Sequence, residues 1–314
     1  MRFEFSEVHM GMPVRIALYT ADKAAANRGA EAVYARFAEL NKLLSDYDPE
    51  SELSRLSRTS PHNHPVPVSE PLWFVLSRSQ QLAQQTDGAF DVTVGPLVRL
   101  WRRARRIGEL PSPERIEEAK QAVGYEYLKL DVVTHGVQLL KPKMQLDLGG
   151  IAAGYAVDEG LKTLKQHGIT SAMIDASGDI GVSDAPPDSI GWRIGIMPLE
   201  PNALPSRYLM LSNAAVTTSG DAFQFVEIGG ERYSHIVDAK TGYGLSDRSA
   251  VTIVAPDCIT ADSVATAVGV LGPEAGLHFV EQQSDVAGLA LRERDGKLNV
   301  YESKMWKKLP FETQ

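Results

Sequence analysis

The chain has 314 residues, 43% of them hydrophobic, and a formal net charge of −8. That length suits one large domain or two packed lobes, and it buries enough surface to fold without a disulfide or a metal. The single cysteine, Cys258, excludes an internal disulfide and a cysteine-built zinc site. The acidic balance argues against non-specific nucleic-acid binding, and no apolar stretch is long enough to cross a membrane.

Arg2 to Tyr19 alternates as two strands, broken at Gly11 and Pro13. Ala26, Ala30, Val33, Phe37, Leu40 and Leu44 then recur at steps of four and three, which predicts an amphipathic helix ending before Asp46-Tyr47-Asp48-Pro49. Ser60 to Val68 reads as a Pro/His loop, with His62 and His64 exposed to solvent. Ser69 caps a second helix that stops near Gly88, and Ser112-Pro113 opens a third. Between them, the arginine run of Leu100 to Arg106 reads as a solvated helix end or turn. From Met144 a strand-like Gln145–Leu148 meets Gly149-Gly150 and a helix through Val157, Leu161 and Leu164. Strands are expected at Ser171–Asp175, Trp192–Met197, Tyr208–Ser212, Ala215–Thr218 and Ala250–Val254, then a helix from Thr260 to Leu271 and another from Pro273. Helices and strands mix without a regular βαβ repeat, which favours α+β over a doubly wound sheet. The expected division is an N-terminal lobe over about 1–143 and a C-terminal lobe over about 144–314, closely associated.

Four constellations could carry chemistry. Asp147-Leu148-Gly149-Gly150-Ile151-Ala152-Ala153-Gly154 joins a strand to a helix start through glycines: a cradle for a pyrophosphate, or simply a tight turn. It is neither a Walker A loop nor a GxGxxG fingerprint. Asp262 and Thr266 stand four apart, so on a helix both oxygens project from one face and suit a hard cation such as magnesium. Alternatively Asp262 supports the helix start and Thr266 is a core residue. His235, in Tyr233-Ser234-His235-Ile236-Val237-Asp238, is a candidate general base or a structural histidine. Thr217-Thr218-Ser219-Gly220-Asp221 reads as a Ser-Gly-Asp turn, facing a site or plain.

Taken in order, these motifs join Met10-Gly11-Met12-Pro13, Leu44 to Ser54, Asp87 to Leu97, Ser234 to Gly242 and Ala261 to Thr266 in a pattern that resembles the ApbE-type flavin transferases along nearly the whole chain. The resemblance implies an α+β fold related to the T-fold, with mixed sheets and packed helices. It implies FAD as the FMN donor, magnesium, and an acceptor protein bearing a target threonine. By position, Met10, Tyr47, Ala89, Phe90, Asp91, Asp147, Ala153 and Ile236 would line the FAD pocket, with Tyr47 and Phe90 offering ring faces. Magnesium would be held by the carbonyls of Gly150 and Ala265 and the side chains of Asp262 and Thr266, and His235 would be the base.

Family members often carry lysine where Ala153 stands, threonine where Met12 stands, and basic or aromatic residues where Ala222-Phe223-Gln224 follow the Ser-Gly-Asp turn. Ala153 removes a positive charge near the pyrophosphate and so bears on the tightness of FAD binding. The family's exported members often begin with a lipid-attachment cysteine, which this chain lacks near its start. Two rival readings share the site: a hydrolase splitting FAD into FMN and AMP, and a non-catalytic FAD-binding protein.

Overall fold

Residues 1–200, 203–205, 207–220, 225–294 and 296–312 are described by the structure, a computed structural model. Strands β1 (Arg2–His9) and β2 (Met12–Tyr19) form a hairpin running from Arg2 opposite Tyr19 to His9 opposite Met12. Its two-residue turn, Met10-Gly11, has φ of 51° and 78°, the left-handed pair that a tight hairpin turn needs. Pro13 therefore lies within β2 and does not break it. It pairs with Val8 but falls outside the register with the next strand, which begins at Val14, so its missing N–H disturbs only the hairpin end.

Helix α1 (Lys23–Leu44) is capped by Asp22, whose carboxylate accepts from the amides of Ala24 and Ala25, and buries the expected stripe from Ala26 to Leu44. Short α2 (Glu52–Arg58), strand β3 (Val66–Pro67) and α3 (Glu70–Gln85) follow. Ser69 precedes α3 but does not cap it through its side chain; its hydroxyl and amide both go to the carboxylate of Glu52. His62 is buried, not exposed: Nδ1 accepts from the Leu139 amide at 3.1 Å, and Nε2 lies 3.1 Å from the Leu56 carbonyl and 2.9 Å from the Thr59 hydroxyl. Burial pushes its pKa down. The arginine run is the body of a regular helix, α4 (Gly95–Ile107), which buries Leu97, Trp101 and Ala104, and α5 (Pro113–Lys120) follows it.

After β4 (Leu128–Asp131) and β5 (Gly136–Leu139), Gln145–Leu148 is not a strand. It makes one parallel bridge, Gln145 to Val94, and the Asp147 amide donates to the Val92 carbonyl at 2.8 Å. Helix α6 (Ala152–Gln166), β6 (Ser171–Ala176), β7 (Asp179–Val182), β8 (Trp192–Gly195), β9 (Tyr208–Leu211) and β10 (Ala214–Gly220) come next. The chain then runs through β11 (Phe225–Ile228), β12 (Glu231–Ser234), β13 (Arg248–Ala255), α7 (Cys258–Leu271), α8 (Pro273–Glu281), β14 (Ala287–Arg294) and β15 (Lys297–Glu302).

Among the described residues the main sheet has eight strands in the order β1-β2-β6-β7-β10-β13-β14-β15, each neighbouring pair antiparallel. Helices α1, α6, α7 and α8 pack together and against this sheet, and the largest core lies between them. A second core, built on Trp192, Leu209, Val216 and Trp306, involves β7, β8, β9 and β10. An α+β architecture follows directly: adjacent strands are antiparallel, so no crossover helix is required between them.

Candidate functional site

The glycine turn meets α7 at two points where only a missing side chain allows contact. A Cβ on Gly150 would stand 2.8 Å from Thr266 Oγ1, and one on Gly154 would overlap the Cys258 carbonyl and stand 2.9 Å from the Asp262 Cβ. With no side chains there, the glycine turn and the first turn of α6 lie directly on α7, and Asp262 Oδ2 accepts from the Gly154 amide at 3.1 Å. Asp262 and Thr266 thus face the turn together, as their four-residue spacing predicts.

Asp262 does not serve the helix start. Asp257 is the N-cap and accepts from the Thr260 amide at 3.0 Å, while Asp158 of α6 accepts from the amides of Cys258 (2.8 Å) and Ile259 (2.9 Å). The free amides at that end are already met. Asp262 is 5% exposed, and its pKa is pushed well above the carboxylate range by burial and then by the neighbouring Asp179 carboxylate, with Asp158 adding to it. Burial likewise raises Asp158 to about 7 and Asp179 to about 6. Arg78, which donates to the Thr260 hydroxyl at 2.8 Å, opposes the rise at Asp158, but burial outweighs it there.

No group of three or more His, Cys, Asp or Glu side chains is arranged to hold a metal among the described residues. One buried carboxylate, one hydroxyl and backbone carbonyls at a glycine turn fit a hard, oxygen-seeking cation better than zinc. Ala265 is buried inside α7, so its carbonyl serves the helix ladder with one lone pair and has a second to offer.

A second group of candidates assembles on the other side of the turn. Asp147 Oδ1 accepts from the Gly149 amide at 2.9 Å, closing the turn on itself. Its Oδ2 accepts from Arg102 Nη2 at 2.8 Å, and Arg102 Nη1 also pairs with Asp46. The same guanidinium lies 4.1 Å from the centre of the Tyr47 ring. Burial, and then the Asp46 carboxylate, raises Asp147 to about 6, with Arg102 opposing them.

Ala89, Phe90 and Asp91 lie just before the segment whose Val92 carbonyl holds Asp147. All three are buried, and Phe90, 4% exposed, belongs to the main core. It therefore presents no ring face to a ligand, in contrast to Tyr47 at 73% exposure. Asp91 Oδ1 accepts from the amide (2.8 Å) and hydroxyl (2.7 Å) of Thr93, an internal brace, and burial raises it to about 6. Composition does not distinguish Arg102 within its uniformly basic run; only the helical period separates it from Arg103, Arg105 and Arg106, which are exposed.

His235 is half-buried on an irregular hairpin closed by Ser234 N to Leu245 O (2.8 Å), Leu245 N to Ile236 O (3.0 Å) and Asp238 N to Tyr243 O (3.0 Å). Ile236 Cδ1 reaches α7 at Gly269, one turn beyond Thr266. The hairpin's far end rests on α4, where Trp101 Nε1 donates to the Gly242 carbonyl at 2.8 Å, and Lys240 pairs with Asp87, in the turn after α3, at 2.5 Å. Met10 is half-buried at the β1–β2 turn against the main core, and Ala153 is half-buried on the first turn of α6. Thr217 to Gly220 is strand β10, not a turn, because every residue from Ala215 to Gly220 pairs with β13; Asp221 and Ala222-Phe223-Gln224 lie outside the described residues.

The ApbE family model matches residues 10–290. The FAD:protein FMN transferase of Haemophilus influenzae is 32% identical over 275 residues, covering 85% of this chain and 79% of that protein. Its namesake in Escherichia coli strain K12 is 30% identical, covering 81% and 74%. Among solved structures, the flavin transferase ApbE from Vibrio cholerae superposes with a TM-score of 0.88 at 29% identity, covering 98% of this chain and 99% of that one. The apo flavinyl transferase ApbE of Pseudomonas stutzeri superposes with a TM-score of 0.86 at 30% identity, covering 98% and 96%. A glycine turn seated on an Asp–Thr helix, in a chain matched over residues 10–290 by the family model, places it: the chain belongs to the ApbE family.

Proposed function

We propose that this chain is an FAD:protein FMN transferase, which moves FMN from FAD to a threonine of an acceptor protein and releases AMP. Family membership supports the activity. The observation that supports the site is the seating of Gly150 and Gly154 on Thr266 and Asp262, which sets a carboxylate and a hydroxyl against the glycine turn that opens α6.

FAD is the substrate, with its pyrophosphate at the Gly149-Gly150 turn and an aromatic ring beside Tyr47. Magnesium suits the oxygens of Asp262, Thr266, Gly150 and Ala265, and when bound it supplies positive charge to the phosphates and to the departing AMP. His235 accepts the proton of the acceptor threonine hydroxyl. That oxygen forms a bond to the phosphorus on the FMN side, the pyrophosphate P–O bond to AMP breaks, and AMP carries away the bond's electron pair. The Gly154 amide and the close packing of the glycine turn keep Asp262 and Thr266 in place, so the acid and hydroxyl need not reorganise as charge shifts. Asp91, Phe90 and Ala89 act from beneath, shaping the segment that holds Asp147.

Incubation with FAD, magnesium and a threonine-bearing acceptor protein, read by intact mass, tests the proposal. An acceptor gain equal to one FMN residue, matched by AMP release, is expected. AMP and FMN appearing freely with no change in acceptor mass would make the chain a hydrolase. Bound FAD with no AMP in any condition would make it a binding protein.

A further inference from the structure

We propose that Arg102 is a positioning residue of the FAD site, clamping the exposed ring of Tyr47 and the Asp147 carboxylate that holds the glycine turn. This rests on the reading of Tyr47 and Asp147 as FAD-site residues. The guanidinium is 25% exposed and makes three contacts at once. Nη2 donates to Asp147 Oδ2 at 2.8 Å, Nη1 pairs with Asp46, and the planar group lies 4.1 Å from the Tyr47 ring centre. Asp147 passes the restraint on through Oδ1, which accepts from the Gly149 amide at 2.9 Å.

Tyr47 is 73% exposed and belongs to none of the hydrophobic cores, so apolar packing does little to fix its ring. Arginine's planar, weakly hydrated fork suits this task because it can bind carboxylates edgewise while covering an aromatic face; lysine can do only one of these well. One face of Tyr47 is covered by the guanidinium, which leaves the opposite face for the ring of a dinucleotide. Nη1 and Nη2 of Arg102 are each directed at a carboxylate, which fixes the plane of the guanidinium. Its effect is on ring placement and turn geometry, and thus on FAD affinity more than on the chemical step. The helical setting is consistent: Trp101 and Ala104 anchor α4 in a small core, so the Arg102 side chain springs from a rigid base.

The test is steady-state transfer kinetics with FAD varied at saturating magnesium and acceptor. Arg102→Ala is expected to raise KM for FAD about tenfold, with kcat within about twofold of wild type. Arg102→Lys should recover part of the loss. In a Tyr47→Ala background, removing Arg102 should add little, because the two act as one unit. Arg106→Ala, an exposed arginine on the same helix, serves as the charge control and should leave KM unchanged. Thermal melts identify any variant that fails to fold; for such a variant the lysine substitution carries the comparison. A wild-type KM in Arg102→Ala, full additivity with Tyr47→Ala, or an equal effect from Arg106→Ala would overturn the inference. Wild-type protein that neither binds FAD nor releases AMP would instead overturn the functional reading beneath it.

Discussion

His235 and Asp262 carry different parts of the proposed chemistry, so removing each should leave a different signature. Substituting His235 by alanine should lower transfer by roughly 10²–10⁴-fold, the usual worth of a positioned general base, with FAD binding retained. Single-turnover AMP release alongside a flavin fluorescence titration separates the two effects. Wild-type turnover in that variant would remove His235 from the mechanism. Substituting Asp262 by asparagine keeps the shape, and its amide oxygen can still accept from the Gly154 amide, but the charge goes. The expected result is a rightward shift of the magnesium titration of transfer, and an unmoved titration would exclude Asp262 as a metal ligand. Two histidines illustrate how residue identity alone misleads. His62 sits in a proline-rich stretch yet is enclosed by Leu56, Thr59 and Leu139, while nothing local in sequence sets His235 apart except its flanking strand and turn.

The α6–α7 junction decides whether the site exists at the scale of elements. Gly154 is required because α7 passes at the Cys258 carbonyl, where any Cβ would overlap backbone. Gly154→Ala should therefore force the helices apart, lowering stability by about 1–3 kcal/mol as overpacking does. Urea denaturation measures it, and transfer should fall with it because Asp262 moves with α7. Asp158 acts on the same junction from the other side, accepting two amides at the start of α7. Asp158→Ala should cost about 0.5–2 kcal/mol, the range for losing a helix N-cap. If both variants melt like wild type, the junction is looser than the distances imply.

Four carboxyls raised by burial act together on the pH response of the molecule. Asp91, Asp147 and Asp179 are raised by burial to about 6 and Asp158 to about 7, from an ordinary value of 3.8. Between the two values the folded protein holds more protons than the unfolded chain. Their contribution to stability is thus complete below about pH 3.8 and is lost as pH rises through about 6 to 7. Metal-free protein should show a melting temperature that these groups pull downward from pH 4 to pH 7.5. Added magnesium should recover more stability at pH 7.5 than at pH 5, because it binds the ionised form of Asp262. A magnesium effect equal at both pH values would contradict the proposed carboxylate ligand.

The sequence alone determined what is local and periodic. The α1 stripe, the α6 and α7 patterns and the four-residue Asp262–Thr266 spacing all stood in the order of residues, because a helix turns a fixed angle per residue. The ordered motifs, taken as a set, also carried the family. Tertiary structure decided what depends on partners distant in the chain. Gln145–Leu148 is extended but finds only one bridge, Thr217 to Gly220 became strand because β13 runs beside it, and Phe90 was drawn into the core. Arg102 became part of the site because α4 packs where one arginine of the run meets Asp46, Tyr47 and Asp147. The physical reason is common to all of these: backbone pairing, burial and charge are satisfied by whatever lies nearest in space, and that neighbour is seldom nearest in sequence.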